Sequence, residues 1–270
     1  MRTKGVEAVN FIAAKWKVTM KQFLIIFSII SLISLALTGL LFLLRKLWGE
    51  PEKSTEHIHP SIFTFFTSLY AFFLGFAIVT LWSAFLTAQT NVTREADSLM
   101  ISFRLSKDLP NSKGFREAMA DYVKIVVNDE WPRMEKDSMS EQAHRLFEKV
   151  WDQFHELRPQ SGGDIDRYLN ISNHLSEASK QRLSRELLVG GNLYPPIWAI
   201  IVFGFISVFY GLYFFHINQN MVSLIFDFMA LFVLLACIYF IYDISTPFSG
   251  YVVVQPQVFK SVHARMLGLL

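Results

Sequence analysis

Apolar positions along the 270-residue chain are gathered into four long runs, and a membrane-crossing helix needs about 20 such residues to traverse roughly 30 Å of hydrocarbon. The first run, Phe23 to Leu44, carries no charge and is bracketed by Lys21 and the pair Arg45, Lys46. The second, Ser61 to Ala88, is long enough to span with tilt or to continue into water. The third, Tyr194 to Phe215, opens on "YPP", where prolines suit a first helical turn whose N–H groups lack intrahelical partners. The fourth, Met221 to Tyr242, contains Asp227. Only "HINQN" (residues 216–220) separates the last two runs, so they form an antiparallel hairpin. The pattern predicts an all-α membrane protein with four transmembrane helices and a helical domain between the second and third.

That domain, residues 89–193, is predicted from helical spacing and breakers. The second span continues without interruption from Gln89 to Leu109, where Pro110 stops it. Ser112 is placed to cap a helix whose apolar positions, Phe115, Met119, Tyr122, Val123, Val126 and Val127, recur at helical spacing, and Trp131-Pro132 is expected to end it. "SMSE" (Ser138 to Glu141) has capping-box spacing and opens a helix to about Leu157. "RPQSGGD" is a loop, and Ile165 to Leu188 forms a last helix before "VGGN" breaks it. The remaining segments are an N-terminal stretch 1–22, a loop 45–60, the turn 216–220 and a C-terminal segment 243–270.

Composition agrees: 52% of residues are hydrophobic and only 18% charged, against roughly 25% charged in soluble domains. A cleaved signal peptide has a 7–15-residue apolar core and a small-residue cleavage site, so the first run, ending in "RKLW", is expected to be a retained anchor. Lys and Arg, enriched on short cytoplasmic flanks, set the orientation. Residues 1–22 hold Arg2, Lys4, Lys15, Lys17 and Lys21, the flanks of the middle domain add Arg94, Arg104, Lys107, Lys180, Arg182 and Arg185, and "HINQN" has none. The loop 45–60 holds three, balanced by Glu50, Glu52 and Glu56. Both termini and residues 89–193 are therefore expected in the cytoplasm. The net charge of +2 follows from this topology and is no nucleic-acid footprint. Cys237, the single cysteine, lies within the fourth span and allows no intrachain disulfide.

Catalytic motifs are missing from the sequence: there is no HExxH, GxSxG, Walker A or GxGxxG. Glu141 with His144, and Asp152 with His155, share the i, i+3 spacing of di-iron bundles, but both pairs fall on one helix, so a solvated polar face is expected instead. His57 and His59 supply only two ligands, which do not make a site. No catalytic residue, metal or cofactor is expected.

The second span is more informative. Thr80, Thr87 and Arg94 are spaced by seven, as are Ser83, Thr90 and Asp97, and the two series interleave along one helix face. Small polar residues on a face serve close helix packing; repeated around a symmetry axis they would line a water-filled path, with Phe72 and Phe76 as an apolar constriction able to gate by dewetting. Asp227 is an ionisable residue within a span, costly unless it faces the bundle interior or water. It is either functional or paired near the interface with Asn218, Asn220 or another subunit.

"FFLGFAIVTLWSAF" (Phe72 to Phe85), "READSL", "DLP" (Asp108 to Pro110), "DYVKIVVNDEW" (Asp121 to Trp131), "LYPPIW" (Leu193 to Trp198) and "DISTPFSGYVVV" (Asp243 to Val254) together resemble the bestrophin-like bacterial membrane proteins, with a fainter similarity to bestrophins themselves. The resemblance implies a homo-oligomer, a pentamer by analogy, in the bacterial cytoplasmic (inner) membrane, passing inorganic ions, anions by analogy, with both termini cytoplasmic. In animal bestrophins a proline, phenylalanine, glycine stretch leads into acidic calcium ligands, whereas Gly250 here is followed by "YVVVQPQVF". Calcium gating is therefore not expected. Asp243 is expected to mark the cytoplasmic exit of the fourth span, Pro247 to stop the helix, Phe248 to belong to the same motif, and Gly250 to permit a sharp turn before "YVVV" packs as a strand or short segment. An oligomeric ion channel is the leading expectation. A non-conducting membrane scaffold or sensor that recruits a partner through the cytoplasmic helices is the alternative.

Overall fold

The computed structural model describes residues 2–48, 59–191, 193–215 and 221–268, with side chains from 21–47, 60–191, 193–214 and 221–268. Every regular element among them is helical. Four helices, within Lys21–Leu47, Pro60–Ser106, Pro195–Phe214 and Met221–Ile244, are long and apolar enough to cross a membrane. The chain divides into two compact units, Met1–Ile78 with Leu193–Ile241, and Val79–Asn192 with Tyr242–Leu270.

The first unit is built from α1 (Arg2–Trp48), the start of α2 (His59–Ser106), α7 (Pro195–Phe215) and most of α8 (Met221–Ile244). α1 runs unbroken through the N-terminal stretch that the sequence pattern set apart from the first span, since no proline or glycine pair interrupts it. On its inner face Ile30, Ser34, Thr38, Leu41 and Arg45 are buried, a stripe at helical spacing. The lipid-compatible remainder, such as Leu32, Leu35 and Leu43, is exposed. α7 buries Ile201, Gly204, Val208 and Gly211. The ring of Tyr70 occupies the place a Cβ on Gly204 would need, and the ring of Phe63 does the same at Gly211. The two glycines are seven residues apart, as are the two aromatic residues, so the glycines let α2 and α7 approach closely, as small residues do in membranes. The Tyr70 hydroxyl then donates to the Ile201 carbonyl at 2.7 Å.

The second unit has one apolar core. The lower part of α2 contributes Phe85, Ala88, Val92, Ala96, Leu99 and Phe103, against α3 (Lys113–Ile125), α5 (Glu141–His155) and α6 (Gly162–Leu187). Tyr122 packs on Phe147 with ring centroids 4.9 Å apart, and Phe154 stacks on Tyr168 at 4.4 Å. The C-terminal segment closes the core through Phe248, Val254 and the helix α9 (Gln257–Leu267), with Trp131 lying 5.9 Å from Phe248 and 5.7 Å from Phe259.

Several local expectations are revised. α2 ends at Ser106, three residues short of Leu109, and tightens into turns in which Lys107 and Leu109 donate to the carbonyls of Arg104 and Ser106. Ser112 holds the N-cap position of α3, but its side chain makes no capping bond. Trp131-Pro132 does not end the helix: α3 widens into a π turn, Val126–Glu130, and continues as α4 (Trp131–Met134). Pro132 has no N–H to give to the carbonyl four residues back, and the wider turn accommodates that loss. The cap of α5 is Ser140, which accepts from the Ala143 N–H, whereas Ser138 donates to the Arg133 carbonyl. A complete capping box occurs at Ser161 and Asp164 instead. The "YVVV" stretch forms no strand. It is irregular and is held by the Trp131 indole N–H donating to the Val254 carbonyl at 3.3 Å.

Candidate functional site

α2 presents two opposite faces. Tyr70, Leu74, Ala77, Leu81, Phe85, Ala88 and Val92 are buried. Phe72, Phe76, Thr80, Ser83, Thr87, Thr90, Arg94 and Asp97 are all exposed, with Phe72 at 73% and Phe76 at 64%. At 3.6 residues per turn the two series point about 160° apart around the helix. The expected stripe is therefore an exposed face of the helix among the described residues. Thr87 and Thr90 donate their hydroxyl hydrogens to the carbonyls of Ser83 and Leu86, both at 2.9 Å, which leaves oxygen lone pairs directed outward. Thr80, Ser83, Thr87 and Asn91 with Ser184 and Leu187 of α6 border an open groove of about 690 Å³.

Asp227 is paired, and with a partner that charge counting assigned to a flank. Arg45 Nη1 donates to Asp227 Oδ2 at 2.9 Å and Nη2 donates to the Leu212 carbonyl at 2.6 Å. The side chains are 2% and 0% exposed, so α1, α7 and α8 are joined through one guanidinium. The turn 216–220, with Asn218 and Asn220, lies outside the described residues, as do His57 and the side chain of His59.

At the end of α8 the expected motif has a defined geometry. The helix stops at Ile244, three residues before Pro247, and Gly250 adopts φ +110°. Asp243 Oδ1 accepts from the Tyr251 N–H at 2.6 Å and Oδ2 from the Val252 N–H at 2.8 Å. A Cβ on Gly250 would stand 2.6 Å from Asp243 Oδ1, so glycine is required by space as well as by φ. Val254 N–H donates to the Pro247 carbonyl at 2.9 Å. The Asp243 carboxylate is thus occupied by its own loop.

A second polar cluster was not foreseen. Arg185, fully buried, donates from Nε to Glu95 Oε2 and from Nη2 to Glu95 Oε1, both at 2.9 Å, and from Nη2 to Glu130 Oε2 at 3.1 Å. Arg182 Nη2 donates to Glu130 Oε1 at 3.1 Å, and the Tyr122 hydroxyl to Glu95 Oε1 at 2.9 Å. Glu130 reaches both arginines from the end of the π turn. Burial followed by the carboxylates of Glu95 and Glu130 pushes the Tyr122 hydroxyl well above its ordinary range. Burial opposes the charge on Arg185, but Glu95 and Glu130 outweigh it and hold the guanidinium protonated. Of the two histidine pairs, His144 Nδ1 faces Arg182 Nη1 at 3.3 Å, and the His155 ring packs against Trp151 and Phe154.

Fold and site together define a multi-pass helical membrane protein with an exposed polar face on its second helix. Residues 30–259 match the Bestrophin-like domain family, and the chain belongs to that family. Its fold is also that of a bacterial bestrophin homologue from Klebsiella pneumoniae, with a TM-score of 0.66 at 12% identity over 89% of this chain and 97% of that one. A point variant of that homologue superposes with a TM-score of 0.67 at 12% identity, over 89% and 99% of the two chains. A crystal structure described only as a membrane protein gives 0.66 at 13% identity, over 90% and 98%. No curated protein matches the sequence.

Proposed function

We propose that this chain is the subunit of a homo-oligomeric ion channel in the bacterial cytoplasmic membrane, with α2 lining the path, rather than an enzyme. The observation that carries the reading is the exposed α2 face. Eight side chains at helical spacing, six of them polar or charged, are exposed among the described residues, and a ring of copies would enclose them. A single four-span subunit has no room for a sizeable aqueous path, so the reading needs an oligomer, a pentamer by analogy with bestrophins. Phe72 and Phe76 form the driest rings, with Thr80, Ser83, Thr87 and Thr90 beyond them and Arg94 and Asp97 at the cytoplasmic mouth.

Orientation follows from charge. With Arg45 neutralised by Asp227, the loop 45–60 keeps Lys46 and Lys53 against three glutamates, which strengthens its outer assignment by the positive-inside rule. Both termini and residues 89–193 are then cytoplasmic. The outward lone pairs of Thr87 and Thr90 favour a second reading of the permeant ion, since acceptors stabilise cations while the bestrophin analogy implies anions.

Unitary current from the purified protein in a planar bilayer, with the reversal potential under a salt gradient, decides both points. Absence of current from an assembled oligomer of known mass would refute the channel and favour a non-conducting scaffold or sensor. A strictly monomeric mass in detergent would refute it as well.

A further inference from the structure

The buried cluster in the second unit lies off the proposed conduction path. Glu95 sits on α2 between Arg94 and Asp97, two residues of the exposed stripe, yet it is fully buried on the opposite side. We propose that the Arg185–Glu95 fork is a positioning device which fixes the rotation of α2 about its own axis and so decides which side chains the helix turns toward the permeating ions. The proposal rests on the channel reading for the identity of that face.

Three observations carry it. Next to the fork the apolar face of α2 is small, because Ala88 and Ala96 present only methyl groups to the core, and a methyl contact sets no direction. The fork supplies what the methyl groups lack. Two parallel N–H donors at 2.9 Å on the two oxygens of one carboxylate set direction as well as distance. The fork is itself held from behind. Glu130 bridges Arg185 to Arg182, Tyr122 caps Glu95 Oε1, and Arg185 Nη1 rests 3.1 Å from Met134 Sδ. Two carboxylates face two guanidiniums, so the cluster is charge-balanced. Arg185 stays protonated and Tyr122 stays neutral, which makes the arrangement a fixed alignment rather than a pH switch. Rotation of α2 would withdraw Glu95 and leave Arg185 buried against Glu130 alone.

The test uses the full chain with Cys237→Ser and a single probe cysteine, Thr87→Cys on the exposed face or Ala88→Cys on the buried one, in reconstituted vesicles with an impermeant thiol reagent. In the parent, Thr87→Cys reacts quickly and Ala88→Cys slowly. Arg185→Lys keeps the charge but loses the fork, and Glu95→Gln keeps the shape but loses the charge. Each should lower the ratio of the two rates about tenfold, the scale of one lost charge-assisted hydrogen bond, and should change unitary conductance in assembled protein. Val150→Ala in α5, a fully buried position outside the cluster, serves as the control for general destabilisation, and it should leave ratio and conductance unchanged. An unchanged ratio in both cluster variants overturns the proposal, as does an equal fall in Val150→Ala. If one cluster variant fails to assemble, the other decides. A parent without current refutes the channel reading, while the rate ratio still tests the alignment.

Discussion

Replacing Asp227 by alanine deletes the carboxylate that accepts from Arg45 at 2.9 Å and leaves a guanidinium 2% exposed among apolar helices. Removing one partner of a buried pair costs about 3–5 kcal/mol. The Leu212 carbonyl, 2.6 Å from Arg45 Nη2, remains as an acceptor, and Arg45 lies in the last turn of α1, where its long side chain can reach toward the interface. The expected loss therefore falls at the lower end, about 3 kcal/mol. Arg45→Met should cost a similar amount, because it removes the guanidinium that donates to the buried carboxylate at 2.9 Å. The double variant Arg45→Met/Asp227→Leu, apolar and of similar volume, should return to within about 1 kcal/mol of the parent. The coupling in the double-mutant cycle is then several kcal/mol, far above an exposed pair. Equilibrium unfolding of the detergent-solubilised protein, followed by tryptophan fluorescence, measures all four corners. A cost below about 1 kcal/mol for Asp227→Ala, or a double variant as unstable as the sum of the singles, would refute the account of a desolvated pair.

Gly204→Ala and Gly211→Ala should each force apart α2 and α7 against the rings of Tyr70 and Phe63, lowering stability by about 1–3 kcal/mol in the same assay. Gly39→Ala, with nothing within 4 Å of the added carbon, should be neutral or better. Phe76→Ser should raise ion flux if the aromatic ring is a dewetted constriction; unchanged flux in an assembled oligomer would count against the α2 path. Asp129 is held below its ordinary 3.8 first by the Ser140 hydroxyl and then by Arg133. The unfolded chain binds its proton first as pH falls, so this contribution is complete above the ordinary value and disappears as pH drops through the lower folded value. Melting temperature measured against pH should lose that acid-side slope in Asp129→Asn.

The four spans were legible because runs of about 20 apolar residues have few other uses, and the α2 stripe because its polar residues keep strict helical spacing. The ion pairs were not, since their partners lie far apart in sequence and each residue had a plausible local role. Arg45 stands where a flanking charge is expected, and Arg182 and Arg185 read from sequence as cytoplasmic flank charges. A signal was nevertheless present. Arg45 falls in phase with Ile30, Ser34, Thr38 and Leu41, and Arg182 and Arg185 with Ile171, Leu175 and Ala178, all of them buried. Glu95 likewise continues the series from Ala88 and Val92 to Leu99. A charge in register with an apolar face must find an opposite charge when that face is buried, and each of these did. The π turn had no comparable mark beyond Pro132, and the choice of Ser140 over Ser138 as cap depended on tertiary placement that spacing does not encode.

The π turn at Val126–Glu130 holds one more residue than the α-helical turn it replaces. In an alignment with relatives whose helix is regular there, a single-residue gap belongs inside 126–130 and not in the loop after Met134. Placed in the loop, the gap would pair Glu130 and Trp131 with residues about 100° away around the helix, and the carboxylate that bridges two arginines would be scored as an ordinary surface substitution. Deleting Asn128 poses the same question in the laboratory, because it would turn Glu130 and Trp131 by that angle relative to the residues before them.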